Sequence, residues 1–240
     1  MIAILPRRLF ATAGNCNARS LARIAKNYRP RYVHYIGLLL LVCWGQAIAS
    51  SENSDETILN QIIETHWQWT LAQYPEMRLD YGDRSGNRLW TDMSPEAFTA
   101  RYRQAGQFVQ QLEQIEPATL SSLSRVNRSM LLRLLRDKQT EYEDGMHLIA
   151  LDMRSGPQHR HSMIERLPMA TLQDHEDWLV RLSTMPEQLM QYRQLLEQGI
   201  AENRMQAQIV MSRVPGQIEN LLAGTATESP FYKAFQNLPP

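Results

Sequence analysis

From Asn53 onward, apolar residues recur every three or four positions, in runs cut by Pro and Gly. That period belongs to helices with one buried side. The first is predicted to begin near Asn53, with Glu56 three residues on in a capping arrangement. Its stripe is Leu59, Ile62, Ile63, His66 or Trp67, and Thr70, and it stops at Tyr74 ahead of Pro75. The stretch "DYGDRSGNRLWTDM" follows as a loop rich in Gly, Asp and Asn. "SPEAF" opens a second helix: Ser94 is the cap, and Pro95 takes the first helical position, where its missing N–H costs nothing. Phe98, Ala105, Phe108, Val109, Leu112 and Ile115 form its buried side, and Pro117 ends it. A third helix opens at Ser121 or Ser122, with Leu123, Val126, Met130, Leu134 and Leu135 expected inward and most basic residues elsewhere.

Between Gly145 and Pro168 the periodicity fades, and an extended crossing with loops is expected. Thr171, with Asp174 three residues on, caps a fourth helix carrying "QDHEDWLV"; Leu172, Leu179 and Leu182, with Trp178 beside them, mark its core side. A fifth helix starts at Pro186 and buries Leu189, Leu195 or Leu196, and Ile200. The sixth runs through Ile209, Val210, Val214, Ile218, Leu221 and Leu222, kinked by Pro215, and "FYKAFQNL" begins one more short helix. No strand alternation persists and no repeat period appears. The fold class is therefore all-α, an array of antiparallel helices joined by short loops.

The first 49 residues break this pattern. They hold Arg7, Arg8, Arg19, Arg23, Lys26, Arg29 and Arg31, no acid, and an apolar run from Tyr35 to Ala49. The run is short for a membrane span, and Ala47-Ile48-Ala49 is a small-x-small cleavage pattern. Residues 1–49 thus read as a bacterial secretory signal peptide cut after Ala49, and 50–240 as an exported helical domain, periplasmic or extracellular. The alternatives are an uncleaved N-terminal anchor, a mitochondrial transit peptide, which the compact apolar block opposes, and a lipoprotein anchored at Cys43, which bulky Leu41 and Val42 oppose. The long basic arm also allows a start codon downstream of Met1.

Cleavage would change the charge balance. Seven basic residues leave, so 18 Lys and Arg face 25 Asp and Glu, a formal charge of −7. Such a balance argues against nucleic acid, which is held through basic contacts to phosphate. Cys16 and Cys43 leave as well, and with them any disulfide, thiol nucleophile or Cys-ligated zinc.

Candidate chemistry is sparse. His175-Glu176 resembles the opening of H-E-x-x-H, where two His on one helical side hold zinc and the Glu activates its water. Leu179 stands at the second His position, so the motif is broken. His159 and His161 bracket Arg160 without enough neighbouring ligands for a metal. "YGDRSGNR" is not a phosphate loop and reads as a turn whose Asp and Asn satisfy backbone N–H groups. Glu141, Glu143 and Asp144 read as a solvated helix end, and Trp67, Trp69, Trp90 and Trp178 as core residues. No G-x-S-x-G or G-x-G-x-x-G occurs.

Several stretches, in order, resemble one family: "HWQWTLAQYPEMRLDYGDRSGNRLWTDMSPEAF", "RVNRSMLLRLL", "MRSGPQ", "DHEDWLVRLSTMPEQLMQYRQLLEQGI" and "RVPGQIENLLAGTATESPFYKAFQNLP". From about Leu59 to Leu238 they look like the amino-terminal half of the bacterial proteins catalogued as domain of unknown function 885. The resemblance implies a mostly helical, often exported protein whose carboxy-terminal half carries an H-E-x-x-x-H-type segment, as in a zinc-dependent peptidase. It carries no metal ligand or catalytic Glu onto this sequence, so no catalytic, cofactor or metal residue is assigned, and zinc is expected only with that other half.

On this reading the chain is an incomplete half of a larger helical domain: a gene fragment, a frameshifted product or one part of a split protein. A half-domain of this kind should expose a large apolar surface. Two functions follow. In one, the chain is one wall of a zinc-peptidase cleft, inactive alone, whose partners are a carboxy-terminal half and a peptide substrate. Its candidate substrate contacts are Tyr81, Asp83, Gly156 and Pro157. In the other it is a non-catalytic secreted or anchored binding module, touching membrane only through an uncleaved N-terminal segment.

Overall fold

Helix starts are written into the chain by caps, and the computed structural model, which describes residues 54–236 and 238, places them where the sequence does. Helix α1 spans Ser54–Gln73, α2 Pro95–Glu113 and α3 Ser122–Glu143. The Ser94 hydroxyl accepts from the Ala97 N–H at 3.2 Å with Pro95 behind it, and Ser121 does the same for Ser124. Helix α4 covers Leu172–Ser183, α5 Met185–Ala201, α6 Gln208–Met211 and α7 Val214–Leu222. At the start of α4, Thr171 and Asp174 form a reciprocal capping box. Among the described residues there is no strand, and the fold is all-α. None of these helices is long and apolar enough to cross a membrane. The signal-peptide reading falls on residues outside those described.

Two differences follow from local chemistry. The segment expected to be an extended crossing is partly wound into 3₁₀ turns, Met146–Leu148 and Pro157–Arg166, the second introduced by Gly156 and Pro157. Pro215 does not kink a long sixth helix but divides it. It stands in the first turn of α7, where it lacks no needed N–H, after α6 has ended at Met211.

Two cores result. Helices α1, α2 and α3 close on Leu59, Ile62, Ala105, Phe108, Val109, Leu112, Ile115, Leu120, Leu132 and Leu135. A smaller one gathers Met163, Ile164, Trp178 and Ala234, flanked by Leu79, Trp90, Phe231 and Phe235.

The buried sides of three helices correct the periodicity reading. Along α3, Leu132 and Leu135 are buried, whereas Leu123, Val126, Met130 and Leu134 are exposed, Leu123 to 70%. The helix carries two apolar stripes, and α2 packs on the shorter one. In α5, Leu195 is buried as expected, but Leu189 and Ile200 are exposed while Gln188, Tyr192 and Gly199 turn inward. Helix α4 is inverted in part: Trp178 is buried and Leu182 packs on the second core as expected, but the other two leucines are not. Leu172 and Leu179 are 61% and 59% exposed, while Asp174, His175, Asp177, Trp178 and Arg181 are buried.

The cause of that inversion is the loop between α1 and α2. It packs on α4 and brings carbonyls, N–H groups and cations that need polar partners when buried. Arg181, wholly buried, donates to the Gly86 carbonyl, contacts the Met163 sulfur and lies 5.0 Å from the Trp90 ring centroid. Trp90 Nε1 donates back to the Arg181 carbonyl at 2.7 Å. Arg88 pairs with Asp177 at 2.6 Å and Arg84 with Asp174 at 3.3 Å. Glu76, also buried, accepts from both the N–H and the hydroxyl of Thr91.

Candidate functional site: an aromatic cavity with a buried arginine

Between the end of α1, the start of α2 and the end of α3 lies a cavity of about 310 Å³. Aromatic side chains dominate its wall. Trp69 and His66 come from α1, Phe98 and Tyr102 from α2, Tyr142 from α3, and Tyr74 and His147 from the segments just beyond. The rings hold one another in place. Tyr142 stacks on His147 at 4.5 Å between centroids and on Tyr102 at 4.7 Å, and His66 meets Phe108 edge-on at 5.3 Å. At the outer side, Lys138 pairs with Glu141 at 2.7 Å and the Tyr102 hydroxyl donates to Glu143 at 2.7 Å.

Arg101 is the exception in this wall. It projects from α2 at the same helical side as Ala105 and Phe108, which is why its side chain is 93% buried. Its guanidinium lies between two rings, 5.0 Å from the centroid of Tyr74 and 5.2 Å from that of Phe98. Nη2 donates to the Asp92 carbonyl at 2.6 Å and Nε to Gln73 Oε1 at 3.3 Å. Nη1 is buried and has no acceptor. Among the described residues no carboxylate comes within 4 Å of any of its nitrogens; Asp92 and Glu76 act on it only at longer range. Burial lowers its pKa, although arginine at neutral pH stays charged. The wall therefore holds a desolvated cation that lacks a counter-ion.

The neighbouring imidazoles do not add to that charge. Burial pushes His66 and His147 below the ordinary histidine range, so both are neutral at pH 7. His147 Nδ1 is likewise buried without a partner. Tyr102 is shifted up, chiefly by its hydrogen bond to Glu143 and then by that carboxylate's charge. A pattern that counts only apolar positions does not include Arg101. Its place in the i, i+4, i+7 row with Ala105 and Phe108 was the available signal.

Elsewhere, the residues singled out in the sequence have local partners. His175 is buried, with Nδ1–H donating to the Thr171 carbonyl at 2.8 Å, while Glu176 is exposed; adjacent helical residues diverge, and the pair does not meet. His159 and His161 contact the carbonyls of Met153 and Gln158, each at 3.1 Å. Among the described residues no group of three or more His, Cys, Asp or Glu is arranged to hold a metal ion. The Asp83 carboxylate accepts from the Ser85 N–H at 2.9 Å and pairs with Arg78 at 2.6 Å, and those bonds, the backbone one first, hold its pKa at about 2. Tyr81 is exposed with its ring edge-on to Trp67. Gly156 and Pro157 begin the 3₁₀ segment after Leu151. None of these four lines the aromatic cavity.

Comparison with known families now adds a relationship. The sequence model of a family described as bacterial protein of unknown function (DUF885) matches residues 75–240. The chain belongs to that family. The DUF885 match begins at Pro75, so it takes in the loop that packs on α4 and all of α2 to α7, and Arg101 lies inside it. No curated protein matches the chain.

Proposed function

We propose that this DUF885 chain is the ligand-binding and scaffold part of an exported, zinc-peptidase-like protein, and that it hydrolyses peptides only with a second body that brings the metal. The observation that carries this reading is the outward-facing apolar stripe of α3, Leu123, Val126, Met130 and Leu134, continued in kind by Leu172, Leu179 and Val180 on α4. Apolar residues aligned along one helix side signal a surface that is covered in the working protein. His175 is buried and Glu176 exposed, so the two do not form a joint metal site; in this reading the metal comes with the second body. The cavity around Arg101 supplies a binding wall.

The test is reconstitution. The purified chain is mixed with the carboxy-terminal, H-E-x-x-x-H-bearing segment of a longer family member, and peptide cleavage is followed with and without a chelator. Chelator-sensitive cleavage by the mixture, and none by the chain alone, is the expected result. Cleavage by the chain alone, or none by a mixture shown to associate, overturns the proposal.

A further inference from the structure

The cavity wall also specifies what kind of molecule it takes. A guanidinium that is desolvated, stacked between two rings and left with one unfilled donor favours a planar anion that can accept from it. Carboxylate is the group whose geometry matches it best. Much of the remaining wall is apolar or aromatic, with Trp69, Ala105, Leu134, Leu135 and Tyr142, which suits an apolar, flat or branched body; its one carboxylate, Glu141, is paired with Lys138. A volume of about 310 Å³ is at the small end of ligand sites and holds one such group, not an extended chain. His147, which also lines the cavity and stacks on Tyr142, brings a ring and no positive charge to the wall.

We infer that this cavity binds a small carboxylic acid with an aromatic or branched apolar body, its carboxylate paired with Arg101. The acid is either a free molecule or the last residue of a peptide, since both present the same carboxylate and side group. Nη1 has no surface open to water, so pairing with the carboxylate requires a shift of the side chains around the guanidinium, among them the rings of Tyr74 and Phe98. The inference rests on the reading of the cavity as a binding wall and needs no peptidase activity, metal or second body.

The experiment is a titration of the full chain, read by tryptophan fluorescence, because Trp69 lines the cavity. The probes are 3-phenylpropionate, its neutral amide 3-phenylpropionamide, acetate, and a short peptide ending in a free-acid phenylalanine. Saturable binding of 3-phenylpropionate is expected, with the amide weaker by about tenfold to a hundredfold, the weight of a charge-assisted hydrogen bond. Acetate should bind far more weakly, lacking the apolar body. Tight binding of the peptide as well points to chain ends as the natural source; its exclusion points to a free acid.

Arg101→Met should remove the acid-over-amide preference. Because loss of a buried cation can also disturb folding, Leu134→Trp serves as a second variant. Residue 134 is half exposed at the cavity wall, so a larger ring there fills the space without touching Arg101's partners. It should abolish 3-phenylpropionate binding while leaving the melting temperature unchanged. Equal affinity for acid and amide, no saturation up to about 10 mM (weaker than any useful site), or full binding by a folded Leu134→Trp chain would overturn the inference. If the acid binds as described but reconstituted peptidase activity fails, the proposed function falls and this site stands; the converse outcome sinks only the site.

Discussion

Gly156→Ala isolates one strained position, and its cost follows from the structure. Gly156 has φ 136° and ψ −178°, a region that side-chain-bearing residues scarcely enter, at about 1–3 kcal/mol. A Cβ there would clash with Leu151 Cδ1 and lie 2.5 Å from Gln158 Oε1. Neither neighbour gives way easily. Leu151 is buried, and Gln158 Nε2 is tied to the Asp152 carbonyl at 2.6 Å and to Gln217 at 3.3 Å. Overpacking of this kind costs roughly 1–3 kcal/mol more. The reduced freedom of the unfolded alanine chain returns about 0.4–1 kcal/mol.

The net is a loss of about 1–5.5 kcal/mol, or on the order of 10 °C in melting temperature for a domain of this size. Urea unfolding followed by circular dichroism at 222 nm, the helix band, measures it directly. Gly216→Ala is the internal control: nothing lies within 4 Å of its Cβ position and the residue is helical, so a gain of roughly 0.5–1 kcal/mol is expected. A Gly156→Ala chain within about 0.5 kcal/mol of the parent, the usual range for surface changes, would refute the strain-and-clash account. So would equal shifts in the two variants.

The inverted helix makes a second pair. Trp178→Ala removes a wholly buried ring that donates to the Phe231 carbonyl and should cost about 3–5 kcal/mol, whereas Leu179→Ala, 59% exposed, should cost well under about 1 kcal/mol; similar losses in urea melts would mean that α4 faces the other way. In acid, the carboxyls of Asp83, Asp152, Asp174 and Asp177 are all held below their ordinary range. For Asp174 burial pushes upward, but bonds from Thr171 and Ala170 and the charge of Arg84 outweigh it. Because the folded state binds these protons more weakly than the unfolded chain, stability is complete above the ordinary carboxyl range near pH 4 and falls as the pH drops toward 2. Melting temperatures measured from pH 6 to 2.5 should show that decline, reduced in Asp174→Asn; a flat profile would contradict it.

Cap chemistry is local, which is why Ser94, Pro95, Thr171 and Asp174 could be placed from the sequence. The second helix's buried row was equally legible, because one apolar stripe on a helix leaves no choice of side. Helix α3 offered two stripes, and periodicity cannot rank them; the partner helix does. Helix α4 misled for a stronger reason. Its packing surface is a loop, and buried loop backbone draws in Asp, His and Arg while excess leucines are left outside. Arg101 is legible only in its register: the row with Ala105 and Phe108 gives the side of α2 it lies on, but the contact with Tyr74, which comes from beyond α1, depends on tertiary packing. Pro215 suggests a bend within one helix because nothing in the sequence marks the end of α6 at Met211.

The bond from Arg181 to Gly86 joins residues 95 positions apart, and the one from Trp90 to the Arg181 carbonyl 91. Contacts of such separation form late, because a long loop must close before they give anything back. The α1–α3 bundle is complete by residue 143, and its α1–α3 bonds span 65–68 positions, so it can assemble before the 76–91 stretch has its α4 partners. During synthesis that stretch has no α4 partners until residue 181 has been added, and limited proteolysis of chains ending before α4 should cut there first. The arginine that completes it acts as a latch, thrown only once the chain has reached at least residue 181.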